Sequence, residues 1–215
     1  MILSVGRSYV FIHIPKTGGT SLALALEQRA KKDDILLGDT PKARRRRHRV
    51  KGLQTRGRLW KHSTLANIEG LVDQKVIDGL FAFTLVRNPW DRAVSYYHWL
   101  RAQQFDHRAV ELAQTLDFAK FVTRPEICEG FRRNSARRYM TGSEGREHCD
   151  RYIRIEHFQR DAIPLTTHLR FELKLEFTNA SQRQAEFSTY YTSKTADSIA
   201  DCCAEDIKRF GYSFE

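Results

Sequence analysis

At 215 residues the chain fits one α/β domain and can bury a sizeable core; it shows no repeat, no low-complexity linker and no apolar run of membrane-spanning length. Its four cysteines, Cys128, Cys149, Cys202 and Cys203, lack CxxC or other metal-ligand spacing, which excludes a cysteine metal site and reads as four reduced thiols. The net charge of +10 is local: Lys42, Arg44, Arg45, Arg46, Arg47, Arg49, Lys51, Arg56, Arg58 and Lys61 lie between Pro41 and His62 with no acid among them, and the other 26 basic residues balance 26 acidic ones.

Residues 9–14 are β-branched or aromatic with little alternation, which predicts a strand covered on both faces. Pro15 ends it. Gly18 and Gly19 are expected to take positive φ in a tight loop and to bring bare backbone N–H groups close to a ligand. Thr20 or Ser21 is the expected cap of a helix over residues 22–29. A loop running into a helix N-terminus is a ready phosphate or sulfate site, to which Lys16 adds a charge and Thr17, Thr20 and Ser21 add hydroxyls. Residues 33–57 are polar and basic and read as an irregular, partly mobile insertion centred on 40–60. Three readings of that insertion stand side by side: a solvated loop, a patch for an anionic acceptor such as an acidic glycan, and a nucleic-acid contact. No aromatic interleaving supports the last.

Residues 65–76 carry Ile68, Leu71, Val72 and Val76 at helical spacing and predict one amphipathic helix, broken by Gly79. A second buried strand is expected over 80–86. It leads into Arg87-Asn-Pro-Trp-Asp-Arg-Ala-Val-Ser95, where Asn-Pro turns the chain and Asp91 is the expected N-cap of a helix through Trp99. Arg87 at the strand's carboxyl end and Ser95 about one turn into the helix can converge on one anion, the guanidinium in a bidentate fork. Ligands of open α/β sheets bind at that end. Helices are expected over 108–122 and 126–140, the second with a solvated basic face of Arg132, Arg133, Arg137 and Arg138. A third strand over 151–155 precedes Glu156, and Asp161 and Pro164 start a helix through Leu169. The tail holds Asn179-Ala-Ser, Tyr190-Tyr191 and a helix over 194–210 with Ile199, Cys203, Ile207 and Phe210 as its apolar stripe; Gly211 is its C-cap.

Pro15-Lys16-Thr17-Gly18-Gly19-Thr20-Ser21 resembles the 5′-phosphosulfate loop of the sulfotransferase family, whose donor is 3′-phosphoadenosine 5′-phosphosulfate (PAPS). It is not a Walker A sequence, because the lysine precedes the glycines. Val86-Arg87-Asn88-Pro89-Trp90-Asp91-Arg92 with Ser95 resembles the family's 3′-phosphate motif, closest to the branch of carbohydrate sulfotransferases, with heparan- and chondroitin-type bacterial proteins among them. Asp206-Ile207 and Phe210-Gly211-Tyr212 resemble the family's chain end. The resemblance implies a single domain over residues 1–215 with a P-loop-like three-layer α/β fold, a central parallel sheet flanked by helices. It implies metal-independent transfer from PAPS to an acceptor hydroxyl, on a carbohydrate. Lys16 through Ser21 would hold the phosphosulfate, with Lys16 at the leaving phosphate, and Arg87 and Ser95 would hold the 3′-phosphate.

His62, in Lys-His-Ser-Thr, resembles the family's base, and a pKa near neutrality suits that role. Lys61 beside it is expected to lower that pKa. His13 competes for the assignment, since its side chain can face core or site; His98 and His157 read as packing or surface residues. Golgi members of the family carry a membrane anchor and no such run occurs here, so a cytoplasmic enzyme is expected. Two other classes remain: a P-loop kinase or nucleotide triphosphatase using Lys16 with Glu156 as a Mg²⁺-holding acid, and a nucleic-acid-binding module using Arg44 to Arg49.

Overall fold

The computed structural model describes residues 1–175, 184 and 186–214. In chain order the strands and α-helices are β1 (Ile2–Ser4), β2 (Tyr9–Ile12), α1 (Gly19–Gln28), β3 (Ile35–Leu36), α2 (Pro41–Arg46), α3 (Leu65–Ile68), α4 (Gln74–Asp78), β4 (Phe81–Val86), α5 (Pro89–Arg101), α6 (Arg108–Thr115), α7 (Phe118–Val122), α8 (Pro125–Arg133), α9 (Ala136–Tyr139), β5 (Arg151–Arg154), α10 (Phe158–Asp161), α11 (Ile163–Leu169), α12 (Ser193–Cys202) and α13 (Ala204–Phe210). They form two compact units: residues 1–86 with 136–178, and residues 87–135 with 179–215.

The first unit is α/β. Its sheet runs β3-β1-β2-β4-β5, with β2, β4 and β5 parallel and β1 antiparallel to both β2 and β3. The expected central parallel sheet is present as β2, β4 and β5, and an antiparallel pair, β1 and β3, is added at one side. The cause is local. Only a one-turn 3₁₀ segment, Val5–Arg7, and Ser8 join β1 to β2, and so short a link can only fold the strand back on its neighbour. A three-residue strand carries too little pattern to be read. Tyr9, Phe11, Phe83, Leu85 and Ile153 on one face pack with Leu22 and Leu26 of α1 and Leu165 and Leu169 of α11. Val10, Ile12, Ala82 and Thr84 on the other face are fully buried too, which is why these strands show no alternation.

The second unit is helical. Trp90, Val94, Tyr97, Phe118, Phe121, Phe131 and Ile199 are buried together, and Trp90 Nε1 donates to Ala196 O at 2.9 Å.

Several expected helices are shorter than predicted. Residues 65–76 form α3 and α4, parted at Gly70 (φ +89°), with Thr64 and Asp73 as separate N-caps. Asp117 caps α7 and divides 108–122; the chain also breaks at Asn134 and Cys203. The basic insertion carries local helical turns: Thr40 caps α2 by accepting from Ala43 N, with Pro41 in the first turn, and a 3₁₀ turn covers Arg47–Val50. Asn179-Ala-Ser lies outside the described residues.

Candidate active site

In the first unit the chain leaves β2, turns at Lys16 and enters α1. The turn differs from the expectation in an instructive way. Lys16 itself sits at φ +66°, in the left-handed region that non-glycine residues avoid, and Gly18 sits at φ +84° as the helix N-cap. Gly19 does not take positive φ; it is the first residue of α1. Its lack of a side chain serves packing instead, because a Cβ there would lie 2.1 Å from Cδ2 and 2.4 Å from Nε2 of His13. A Cβ on Gly18 would meet Ile155 Cδ1 at 2.0 Å. The helix therefore begins earlier than the expected Thr20 or Ser21 cap.

The loop fits an anionic group. No side chain caps α1, and the first backbone bonds back to Gly18 O come from Ser21 N (3.1 Å) and Leu22 N (3.4 Å), so the amides of Gly19 and Thr20 precede the helical ladder. Thr20 and Ser21 are half-buried at this helix start. Thr17 is placed otherwise: it is buried, and its hydroxyl donates to Ile14 O at 2.9 Å, bracing the loop from beneath.

His13 is buried and lies between the loop and His62. Its ring centroid is 5.8 Å from that of Phe11 and 4.5 Å from that of His62, the latter edge-on at 65°. His62 Nδ1–H donates to the carbonyl of His13 at 2.8 Å. A carbonyl can only accept, so the neutral ring carries its lone pair on Nε2. Burial pushes the His62 pKa down to about 3; the His13 carbonyl opposes this and the Lys61 charge adds to it. The pKa near neutrality expected of His62 is thereby corrected, with burial as the first cause; the lowering by Lys61 is present but lesser. His13 is held well below the ordinary histidine value by burial and then by His62. Of the two candidates, His13 is the buried spacer and His62 the half-buried ring above it.

The carboxylates at the end of β5 do not form the acid site of a triphosphatase. Glu156 is exposed in a 3₁₀ turn. The buried acid is Asp161, expected as a helix start but ending α10; it accepts from Arg154 Nε at 2.7 Å and Arg160 Nε at 3.2 Å. Arg154 foremost holds its pKa well below the usual carboxylate range.

In the second unit, Asn88 rather than Asp91 caps α5, accepting from Trp90 N (3.0 Å) and Asp91 N (3.4 Å), with Pro89 in the first turn. Asp91 instead grips Arg87, at 2.7 Å from Nε and 2.5 Å from a terminal nitrogen, and orients the guanidinium. Ser95 is buried in α5. The same motif holds a cation that sequence reasoning passed over: Arg92 is 8% exposed, lies 5.8 Å from the Phe131 ring centre and donates to Asn134 O at 3.3 Å. Arg132 and Arg133 pair with Glu129, and in the first unit Arg137 pairs with Glu147, as solvated side chains would.

The sulfotransferase family model matches residues 6–213. The chain belongs to the sulfotransferase family. Its activity is sulfuryl transfer with PAPS as donor, and the kinase and nucleic-acid-module readings fall. Among solved structures, mouse sulfotransferase SULT7A1 complexed with PAP is similar at 16% identity and a TM-score of 0.48, over 94% of this chain and 84% of that one. A search of curated proteins gives no match. Among the described residues, no helix is long and apolar enough to cross a membrane.

Proposed function

We propose that this sulfotransferase moves the sulfuryl group of PAPS onto a carbohydrate hydroxyl, on an anionic glycan, by in-line transfer without a metal, in the cytoplasm. Lys16 and the amides and hydroxyls of Gly18, Gly19, Thr20 and Ser21 bind the 5′-phosphosulfate; Thr17 contributes by holding the loop. In the second unit, Arg87 and Ser95 bind the 3′-phosphate. The acceptor oxygen forms its bond to sulfur as the bond from sulfur to the bridging phosphate oxygen breaks, and the bonding pair leaves with PAP. Lys16 stabilises that leaving charge, and His62 Nε2 takes the acceptor proton.

The observation that carries this reading is the bond from His62 Nδ1 to His13 O, which leaves Nε2 as the basic atom, on a residue whose spacer packs directly beneath the loop. The test is single-turnover kinetics of His62→Ala and His62→Gln beside PAP titration. Turnover is expected to fall about a hundredfold or more with PAP affinity intact. Normal turnover in either variant would remove His62 from the base role.

A further inference from the structure

His62 stands in a stretch with neither helix nor strand, residues 57–64, just before α3. A base on such a stretch works only if the stretch is fixed, because a displacement of about 1 Å at a reacting group can cost about a hundredfold in rate. It is fixed at two points. At the neck, Asn67 of α3 holds both ends: its backbone carbonyl accepts from Gly57 N at 3.2 Å, and its side-chain Oδ1 accepts from Thr64 N at 3.0 Å. Thr64 Oγ1 in turn accepts from Asn67 N at 3.2 Å. The closure at Gly57 is tight, since a Cβ there would lie 2.3 Å from Asn67 Nδ2. Inside the loop, Ser63 is fully buried; its hydroxyl accepts from Trp60 N at 2.9 Å and lies 3.0 Å from the carbonyls of Arg58 and Trp60. A buried hydroxyl is costly unless it is bonded, and this one directs its bonds to the backbone on either side of the turn that carries His62.

We propose that Ser63 and Asn67 are positioning residues for sulfuryl transfer: together they close the loop of residues 57–64, so that the His62 ring keeps its bond to His13 O and presents Nε2 to the acceptor proton. The inference rests on His62 being the base and goes beyond it by naming what holds that base in place. Neither residue need touch the donor or the acceptor; both act through His62. The low pKa of the ring depends on the same closure, because burial is its first cause. The charged and titratable groups facing His62 are His13, Lys61, Asp39 and the Met1 amine, and neither Ser63 nor Asn67 is among them. A role confined to stabilising α3 would tie the two residues to the melting temperature and leave the His62 ring unchanged.

The test is NMR of the His62 imidazole in the PAP-loaded chain, beside PAP titration, scanning calorimetry and PAPS turnover with an unsulfated chondroitin hexasaccharide as acceptor probe. In the unsubstituted chain the ring is expected to stay neutral from about pH 5 to 8 with its proton on Nδ1. The Trp60 amide, bonded to Ser63 Oγ, should exchange about tenfold or more slowly than a free amide. Ser63→Ala and Asn67→Ala should each let the ring titrate near pH 6.5 and lower turnover about tenfold or more, with PAP affinity unchanged. Asn67→Asp keeps an oxygen acceptor for Thr64 N and should restore both the neutral ring and the rate. Asp161→Asn is the control for lost stability: Tm should fall while the ring and the rate hold. A neutral ring at wild-type turnover in both alanine variants, the same changes in Asp161→Asn, a parallel loss of PAP affinity, or free exchange of the Trp60 amide in the unsubstituted chain would each overturn the inference. The exchange measurement decides even if an alanine variant does not fold. Normal turnover in His62→Ala is a different result, and would remove the base reading beneath the inference.

Discussion

Replacing Gly19 with alanine puts a methyl group where the His13 ring already lies. The new Cβ would stand 2.1 Å from Cδ2, 2.4 Å from Nε2 and 2.8 Å from Cγ, so three ring atoms must give way at once. The ring has little room to do so, being buried between Phe11 and His62. Overpacking of this kind costs about 1–3 kcal/mol. For a chain of this size that corresponds to a fall in Tm of about 2–12 °C. Either the loop lifts or His13 is driven toward His62, and a displacement of about 1 Å at a reacting group can cost about a hundredfold in rate. Scanning calorimetry and kcat/KM on Gly19→Ala check both numbers. Gly130→Ala is the control: it lies inside α8 with nothing within 4 Å of the added methyl and no left-handed φ, so Tm should hold or rise. Wild-type Tm and kcat/KM in Gly19→Ala would show that the ring yields freely and would refute the spacer role given to His13.

The pH dependence follows from His62. With its pKa lowered to about 3, the ring stays neutral from pH 5 to 8, so the free-enzyme kcat/KM profile should lack the acid limb near pH 6.5 of an ordinary histidine base. The same shift has a stability sign: the unfolded chain takes up protons below about pH 6.5 that folded His62 and His13 refuse, so the denaturation midpoint should fall as pH drops through that range. Asp161→Asn should lose about 2–3 kcal/mol at pH 7 through its bonds to Arg154 and Arg160. Because the Asp161 pKa is depressed, the gap between the two proteins in urea unfolding should close as pH falls below about 4.

What the sequence made legible was what local chemistry dictates. The three parallel strands announced themselves because strands buried on both faces must be continuously apolar, and the strand-loop-helix around residues 16–21 because its glycines mark the turn between strand and helix. Gly19 was noticed for the wrong reason: its requirement comes from His13, six residues away and folded back across the loop, which no spacing reveals. Asn88 and Asp91 could exchange roles on paper since both are good caps; only the position of Arg87 assigns the aspartate to the ion pair. Long amphipathic stretches were read as single helices because the apolar period survives a break, as it does across Gly70 and Cys203.

The donor site is tested most directly by calorimetric titration of the purified chain with PAP and, separately, ADP, in EDTA. PAP is expected to bind clearly tighter than ADP without metal. In Arg87→Ala that preference should shrink about tenfold or more, because the charged bond to the 3′-phosphate is gone. Equal affinity for the two nucleotides, binding only once Mg²⁺ is restored, or an undiminished preference in Arg87→Ala would contradict the assignment.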